Sequence, residues 1–256
     1  MEKETHFSGL QDQGDREEQQ DSYAFGLIGQ DDESLPMLAA LADGMGGEKN
    51  GRLCSEHLVT SFIEHLGLVP DTDIPEKLWQ TLQECNETLA HAKGGAEQDG
   101  GTTFVGAWFD AENLYWISVG DSLLYHYREG NMQRLNADHS LQPELLRRAE
   151  AGEMTHEQAL QHKDRHLLCS AICGDPMEMI DCPEHPKSLQ PDDILVLASD
   201  GILSLPEEQI QQTLDKFRDN SAASITNKLM EQVCDLKKNA QDNITLQVIK
   251  IPSAPA

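Results

Sequence analysis

A chain of 256 residues can bury a sizeable core, and 38% apolar with 25% charged residues is the usual mixture of a globular protein. The formal charge of −26 is unusual; it repels nucleic acid and anionic lipid alike and argues against both as partners. Apolar runs of about six residues fall far short of the ~20 that span a bilayer, and the acidic opening "MEKETHFSGLQDQGDREEQQDS" is the opposite of a secretory signal.

The six cysteines (Cys54, Cys85, Cys169, Cys173, Cys182, Cys234) include no Cys-x-x-Cys pair, so reduced thiols in a cytoplasmic protein are expected. His139 in "NADHS" reads as a structural hydrogen-bonding residue.

In chain order, residues 22–28 and 37–42 are short apolar runs suited to buried strands. Apolar residues at helical spacing follow over 51–66 and 74–92. "TTFVGAWF" and "LYWISVG", separated by "DAEN", predict a β-hairpin, and "SLLYHYREGNMQRL" predicts a second one turning about Glu129-Gly130-Asn131. Residues 142–168 turn polar and carry two short helical patterns, which marks an excursion from the core. A strand at 193–199, helices near 206–216 and 221–236, a strand at 243–249 and a frayed tail over 251–256 complete the chain. Tight turns between neighbouring strands indicate antiparallel sheets, and helices in pairs between β blocks favour a layered α+β fold over a doubly wound one. No Pro/Gly/Ser-rich linker interrupts residues 1–256, so one domain is expected.

Five acidic residues sit at the mouths of these segments: Asp21, Asp43, Asp121, Asp200 and Asp242. Asp43 in "LAALADGMGG" and Asp200 in "ILVLASDG" each follow an apolar strand and precede a glycine. Singly, each Asp-Gly is an ordinary turn. Together they pose a problem, because two carboxylates ~5 Å apart repel by about 3 kcal/mol at an effective dielectric of 20. Few basic residues lie nearby in sequence, so a hard divalent cation is the natural counter-charge, and oxygen-only ligands select magnesium or manganese over zinc. Glycine beside the carboxylate lets a backbone carbonyl approach a metal, and Met45, Gly46 and Gly47 leave an open floor.

In order, "GDREEQQDS" (14–22), "ALADGMGG" (40–47), "GGTTFVGAWF" (100–109), "ISVGDS" (117–122), "LNADHS" (135–140), "CSAICGD" (169–175), "LVLASDG" (195–201) and "DNITLQV" (242–248) resemble the metal-dependent protein phosphatase family of 2C type, in its bacterial branch. The resemblance implies a four-layer α-β-β-α sandwich with two central antiparallel sheets flanked by helices. It also implies two Mn²⁺ or Mg²⁺ ions at one edge. Asp43 would bridge both ions, Gly44 would offer its carbonyl, and Asp200 and Asp242 would complete the set. Asp21 would support the site through bound water, and Asp121 would serve a weaker third site. Arg16 would hold the substrate phosphate by paired hydrogen bonds.

The implied activity is hydrolysis of phosphoserine and phosphothreonine on proteins by water activated between two metals, without a phospho-enzyme intermediate. The excursion corresponds to the family's flap. The implied partner is a phosphoprotein, the target of a Ser/Thr kinase, and a monomer is expected. Four positions depart from the pattern: Gln20 for a glutamate, Leu123 for an arginine, Ser204 for an aspartate and Met45 for a histidine. Gln20 and Ser204 motivate one alternative, a catalytically impaired relative acting as a binding module.

Overall fold

The computed structural model describes residues 6–27, 37–46, 50–66, 73–94 and 99–252. The chain runs β1 (Phe7–Asp12), β2 (Ser22–Leu27), β3 (Met37–Ala42), β4 (Gly44–Met45), α1 (Asn50–Leu66), α2 (Ile74–Ala92), β5 (Gly101–Thr102) and β6 (Phe104–Phe109). It continues with β7 (Asn113–Val119), β8 (Leu123–Arg128), β9 (Asn131–Arg134), α3 (Gln142–Glu150), α4 (His156–Leu160) and β10 (Lys187–Ser188). β11 (Ile194–Ala198), a 3-10 turn (Asp200–Ser204), α5 (Glu207–Phe217), α6 (Ala222–Asp235) and β12 (Ile244–Lys250) follow.

Two five-stranded antiparallel sheets form, in the orders β1-β12-β11-β8-β9 and β10-β7-β6-β3-β2, and β4 pairs with β5 in a small ribbon. Apolar side chains gather in three layers. Leu38, Ala40 and Ala42 of β3 pack with Leu58 and Phe62 of α1 and Leu78 and Leu82 of α2. Val196 of β11 and Leu246 of β12 pack with Ile210 and Leu214 of α5 and Leu229 of α6. Between the sheets, Ala39 and Leu41 meet Leu195 and Leu197. This is the expected α-β-β-α sandwich. It also explains why the strands lack clean alternation, since both faces of β3 and β11 are buried.

The turn between β8 and β9 places Glu129 and Gly130 at φ 50 and 84, the left-handed pair of a two-residue hairpin. α4 begins in a reciprocal cap between Thr155 and Gln158. The excursion carrying α3 and α4 is closed at its base by a bridge between Ser140 and Leu168 and by a 2.9 Å bond from the Leu141 N–H to the Leu167 carbonyl.

β1 has no counterpart among the sequence expectations. It is an edge strand, half exposed, whose Leu10 alone packs on the nearby core, so its pattern is weak. The two-residue strands β4, β5 and β10 are likewise too short to show periodicity. Among the described residues no helix is long and apolar enough to cross a membrane.

At the far end of the sandwich, Asp193 is 1% exposed. Burial alone would raise its proton affinity. Together the Arg128 guanidinium, bonding both carboxylate oxygens at 2.7 and 2.6 Å, the His126 ring 2.9 Å away and the Gln190 N–H at 2.8 Å outweigh that and hold Asp193 below the usual carboxylate range. A depressed carboxylate stabilises the fold at neutral pH and loses that contribution only as pH falls through its folded value. Asp193→Ala should therefore cost about 3 kcal/mol in urea unfolding at neutral pH, the lower range for breaking a buried pair. The penalty should shrink on acidification.

Candidate metal centre

The five carboxylates come from both sheets, not from one sheet edge. Asp21 and Asp43 flank β2 and β3, Asp200 and Asp242 flank β11 and β12 in the other sheet, and Asp121 lies where the chain crosses between sheets from β7 to β8. Asp43, Asp121, Asp200 and Asp242 line one open cleft of about 1140 Å³ together with Arg16 and Gly44.

The backbone of Asp43 is clamped. Its N–H donates to the Thr103 hydroxyl at 3.0 Å, and its carbonyl accepts from the Thr103 N–H and the Thr102 hydroxyl, each at 2.9 Å. The Thr103 hydroxyl lies 2.7 Å from that of Ser122, which ties Asp43 to the segment bearing Asp121.

The glycines after Asp43 and Asp200 have a packing cause that the sequence does not reveal. A Cβ on Gly44 would fall 2.3 Å from the Gly51 carbonyl oxygen and 2.5 Å from that of Gln20, beside Asp21. One on Gly201 would fall 2.0 Å from the carbonyl oxygen of Asn243, beside Asp242. Each glycine thus lets the chain bearing one carboxylate touch the chain bearing another. Met45 and Gly46 border the cleft as expected, while Gly47 lies outside the described residues.

Asp21 does not line the cleft. It is 4% exposed, and its Oδ2 accepts from the hydroxyls of Ser199 at 2.8 Å and Thr245 at 2.7 Å, both from the opposite sheet. Its Oδ1 is buried without a hydrogen-bond partner. Burial raises Asp21 to about 6 against the pull of those two hydroxyls, with Asp200 and Asp242 adding to the rise. Asp121 is pushed to about 7 by burial, Asp200 and Asp138. Burial also raises Asp43 well above the ordinary range, reinforced by Asp21, Asp200, Asp121 and Asp242. Asp200 is raised by burial and Asp242, against the opposing charges of Arg16 and Lys238.

Asp242 is turned toward Arg16, whose Nη2 lies 2.6 Å from its Oδ2. Among the described residues no three acidic, histidine or cysteine side chains close into a finished ligand cage. The donor set nevertheless fits hard divalent cations: it is all oxygen, its members repel one another, and a bare carboxylate oxygen lies beneath it.

Several residues that build the site carry no role legible from sequence. Besides Thr102, Thr103, Ser199 and Thr245, the Asn243 side chain accepts from the Gln20 N–H at 2.8 Å and donates to the carbonyls of Gln13 and Glu18 at 2.8 and 3.1 Å. It thereby holds the segment carrying Arg16 against β12. Hydroxyl and amide residues beside aspartates were the available signal.

The four departures have structural places. The Gln20 carbonyl accepts from the Gly44 N–H, so its backbone serves the site whatever its side chain. Leu123 is core. Ser204 donates to Gln241 and accepts from Lys238. Met45 borders the cleft. His139 is buried, and its Nδ1 accepts from the Gly120 N–H at 3.2 Å, a structural role as expected.

A model of protein phosphatase 2C matches residues 9–239. The chain belongs to the protein phosphatase 2C family. A serine/threonine phosphatase stp of Listeria innocua is 31% identical over 223 residues, covering 83% of this chain and 84% of its own length. Among solved structures, the S. agalactiae serine/threonine phosphatase superposes with a TM-score of 0.79 at 25% identity, covering 96% of this chain and 98% of that one. The catalytic domain of a serine/threonine protein phosphatase PstP, crystallised with two manganese ions, shares the fold with a TM-score of 0.74 at 24% identity, covering 96% of this chain and 98% of its own.

Repulsion within the cluster gives Asp43→Asn two opposite effects. Without divalent ions the variant should unfold at a higher temperature than the parent, by on the order of 1 kcal/mol of relieved repulsion. With saturating Mn²⁺ the parent should gain ~3 kcal/mol at a hundredfold excess over its dissociation constant, and the variant little. Calorimetric melting with and without chelator checks both.

Proposed function

We propose that this chain is a metal-dependent protein serine/threonine phosphatase. The observation that carries the reading is the cleft itself, where four carboxylates from two sheets face one arginine, in a chain matching the family from residue 9 to residue 239. Asp43, Asp200 and Asp242, with the Gly44 carbonyl, are assigned to hold two Mn²⁺ or Mg²⁺ ions, as two manganese ions are held in the PstP catalytic domain. Asp21 supports them from below, and Asp121 is assigned a weaker third position. Bound ions supply an acidified water and neutralise charge on the phosphoryl group.

The protein's own groups set what can enter. Without counter-charge the carboxylates repel a phosphate dianion. Arg16, with a 61% exposed side chain, reaches the cleft from a segment fixed by Asn243 and offers a planar fork for two phosphate oxygens. Among the described cleft residues there is no cysteine or serine, and the Thr103 hydroxyl is engaged by Asp43 and Ser122. No cysteine, serine or free threonine hydroxyl is thus offered there to take up the phosphoryl group, and the reading is direct transfer to water.

The substrate class is phosphoserine or phosphothreonine on proteins, by analogy with the Listeria relative's name, and a Ser/Thr kinase is the expected opposing activity. The binding-module alternative finds no support, since the proposed ligand residues are all retained.

With Mn²⁺ the protein should hydrolyse a phosphothreonine peptide faster than sugar phosphates, and Asp43→Ala should abolish turnover. Lack of phosphopeptide turnover under both Mn²⁺ and Mg²⁺ would refute the reading. Arg16→Ala should lower kcat/KM roughly ten- to a hundredfold, mainly through KM, the worth of a charged hydrogen-bonded pair. Steady-state kinetics with an unchanged KM would remove Arg16 from phosphate binding.

A further inference from the structure

If the cleft hydrolyses phosphoserine or phosphothreonine, one proton remains to be assigned. A serine or threonine alkoxide is too basic to depart unprotonated at neutral pH, so an acid must meet it as the bond breaks. The cleft offers few donors. Asp43, Asp121, Asp200 and Asp242 are assigned to cations, Arg16 does not release its proton, Thr103 is engaged, and Met45 has no proton to give. Asp15, Glu17 and Glu18 sit on the segment that brings in Arg16. The remaining titratable side chain of the cleft lining is His166, which borders it with Leu167 and Leu168.

His166 stands where the excursion rejoins the body. Leu167, next in sequence, is bonded through its carbonyl to Leu141, and Leu168 is bridged to Ser140, so the wall is fastened at that point. We propose that His166 is the acid that protonates the departing serine or threonine oxygen. In that step a water oxygen bonds to phosphorus as the bond to the side-chain oxygen breaks. The imidazolium N–H proton passes to the departing oxygen and leaves a neutral ring. The proton shed by the attacking water goes to solvent, from which the ring is recharged.

The charged neighbours of His166 come from three places. Arg165 adjoins it, Lys238 reaches over from the loop between α6 and β12, where its Nζ donates to Ser204 at 3.2 Å, and Asp138 lies before α3. Partial desolvation, Arg165 and Lys238 lower the proton affinity of the free ring, and Asp138 opposes them. A phosphate dianion arriving opposite the ring raises it again. The alkaline limb in kcat should therefore lie at higher pH than the limb in kcat/KM.

The inference rests on the phosphatase reading, and the test separates the two. The parent and His166→Gln, both loaded with Mn²⁺, are compared on a phosphothreonine peptide and on p-nitrophenyl phosphate, whose leaving group departs without a proton. The variant should lose on the order of 10²-fold in peptide kcat, lose the alkaline limb, and keep its p-nitrophenyl phosphate turnover. His166 is exposed, so the variant should fold, and its melting temperature verifies this. Peptide turnover retained by the variant, or an equal loss on both substrates at unchanged melting temperature, would overturn the assignment to His166 while leaving the phosphatase reading intact. A parent that turns over neither substrate overturns both.

Discussion

The closeness of Asp21, Asp43, Asp121, Asp200 and Asp242 opposes folding, because burial and mutual repulsion make four of them hold protons more tightly than an ordinary carboxylate. Much of the end of the sandwich is arranged to tolerate that strain. Asp43 is gripped through its backbone by two threonines, Asp21 is tied to hydroxyls of the opposite sheet, and Asp242 leans on Arg16. Such an arrangement is costly unless cations relieve it, so the site and the stability of the fold are linked.

The two sheets meet through polar as well as apolar contacts. Along the inner face of β12, Thr245 and Gln247 replace the expected hydrophobes, and both are fully buried. Thr245 bonds Asp21, while Gln247 donates to the Ala24 carbonyl at 3.0 Å, so both reach β2 or its start. A purely apolar interface could slide. These bonds fix the alignment of the sheets, and with it the relation of Asp21 and Asp43 to Asp200 and Asp242.

Much of this was legible in the sequence. α1, α2, the two hairpins and the last strand follow from apolar spacing and turn chemistry, and the aspartates at segment mouths pointed to a shared cleft. What escaped has physical causes. β1 gains its pairing from the far end of the chain, Phe7 lying opposite Ile249 of β12, and its own pattern is half exposed. From sequence the glycine after each aspartate clears space for ligands, whereas its missing side chain first admits a neighbouring backbone, a contact that no local window contains. That two sheets supply the carboxylates is a property of topology, visible only once the strand order is known.

The contact between Arg16 and Asp242 carries a consequence for the order of events. The Arg16 guanidinium is held by the Asp242 carboxylate. Under the proposed assignments, an ion taking Asp242 would set that arginine free, so loading with metal would ready the anion receptor in the same stroke, and occupancy by either guest would favour the other.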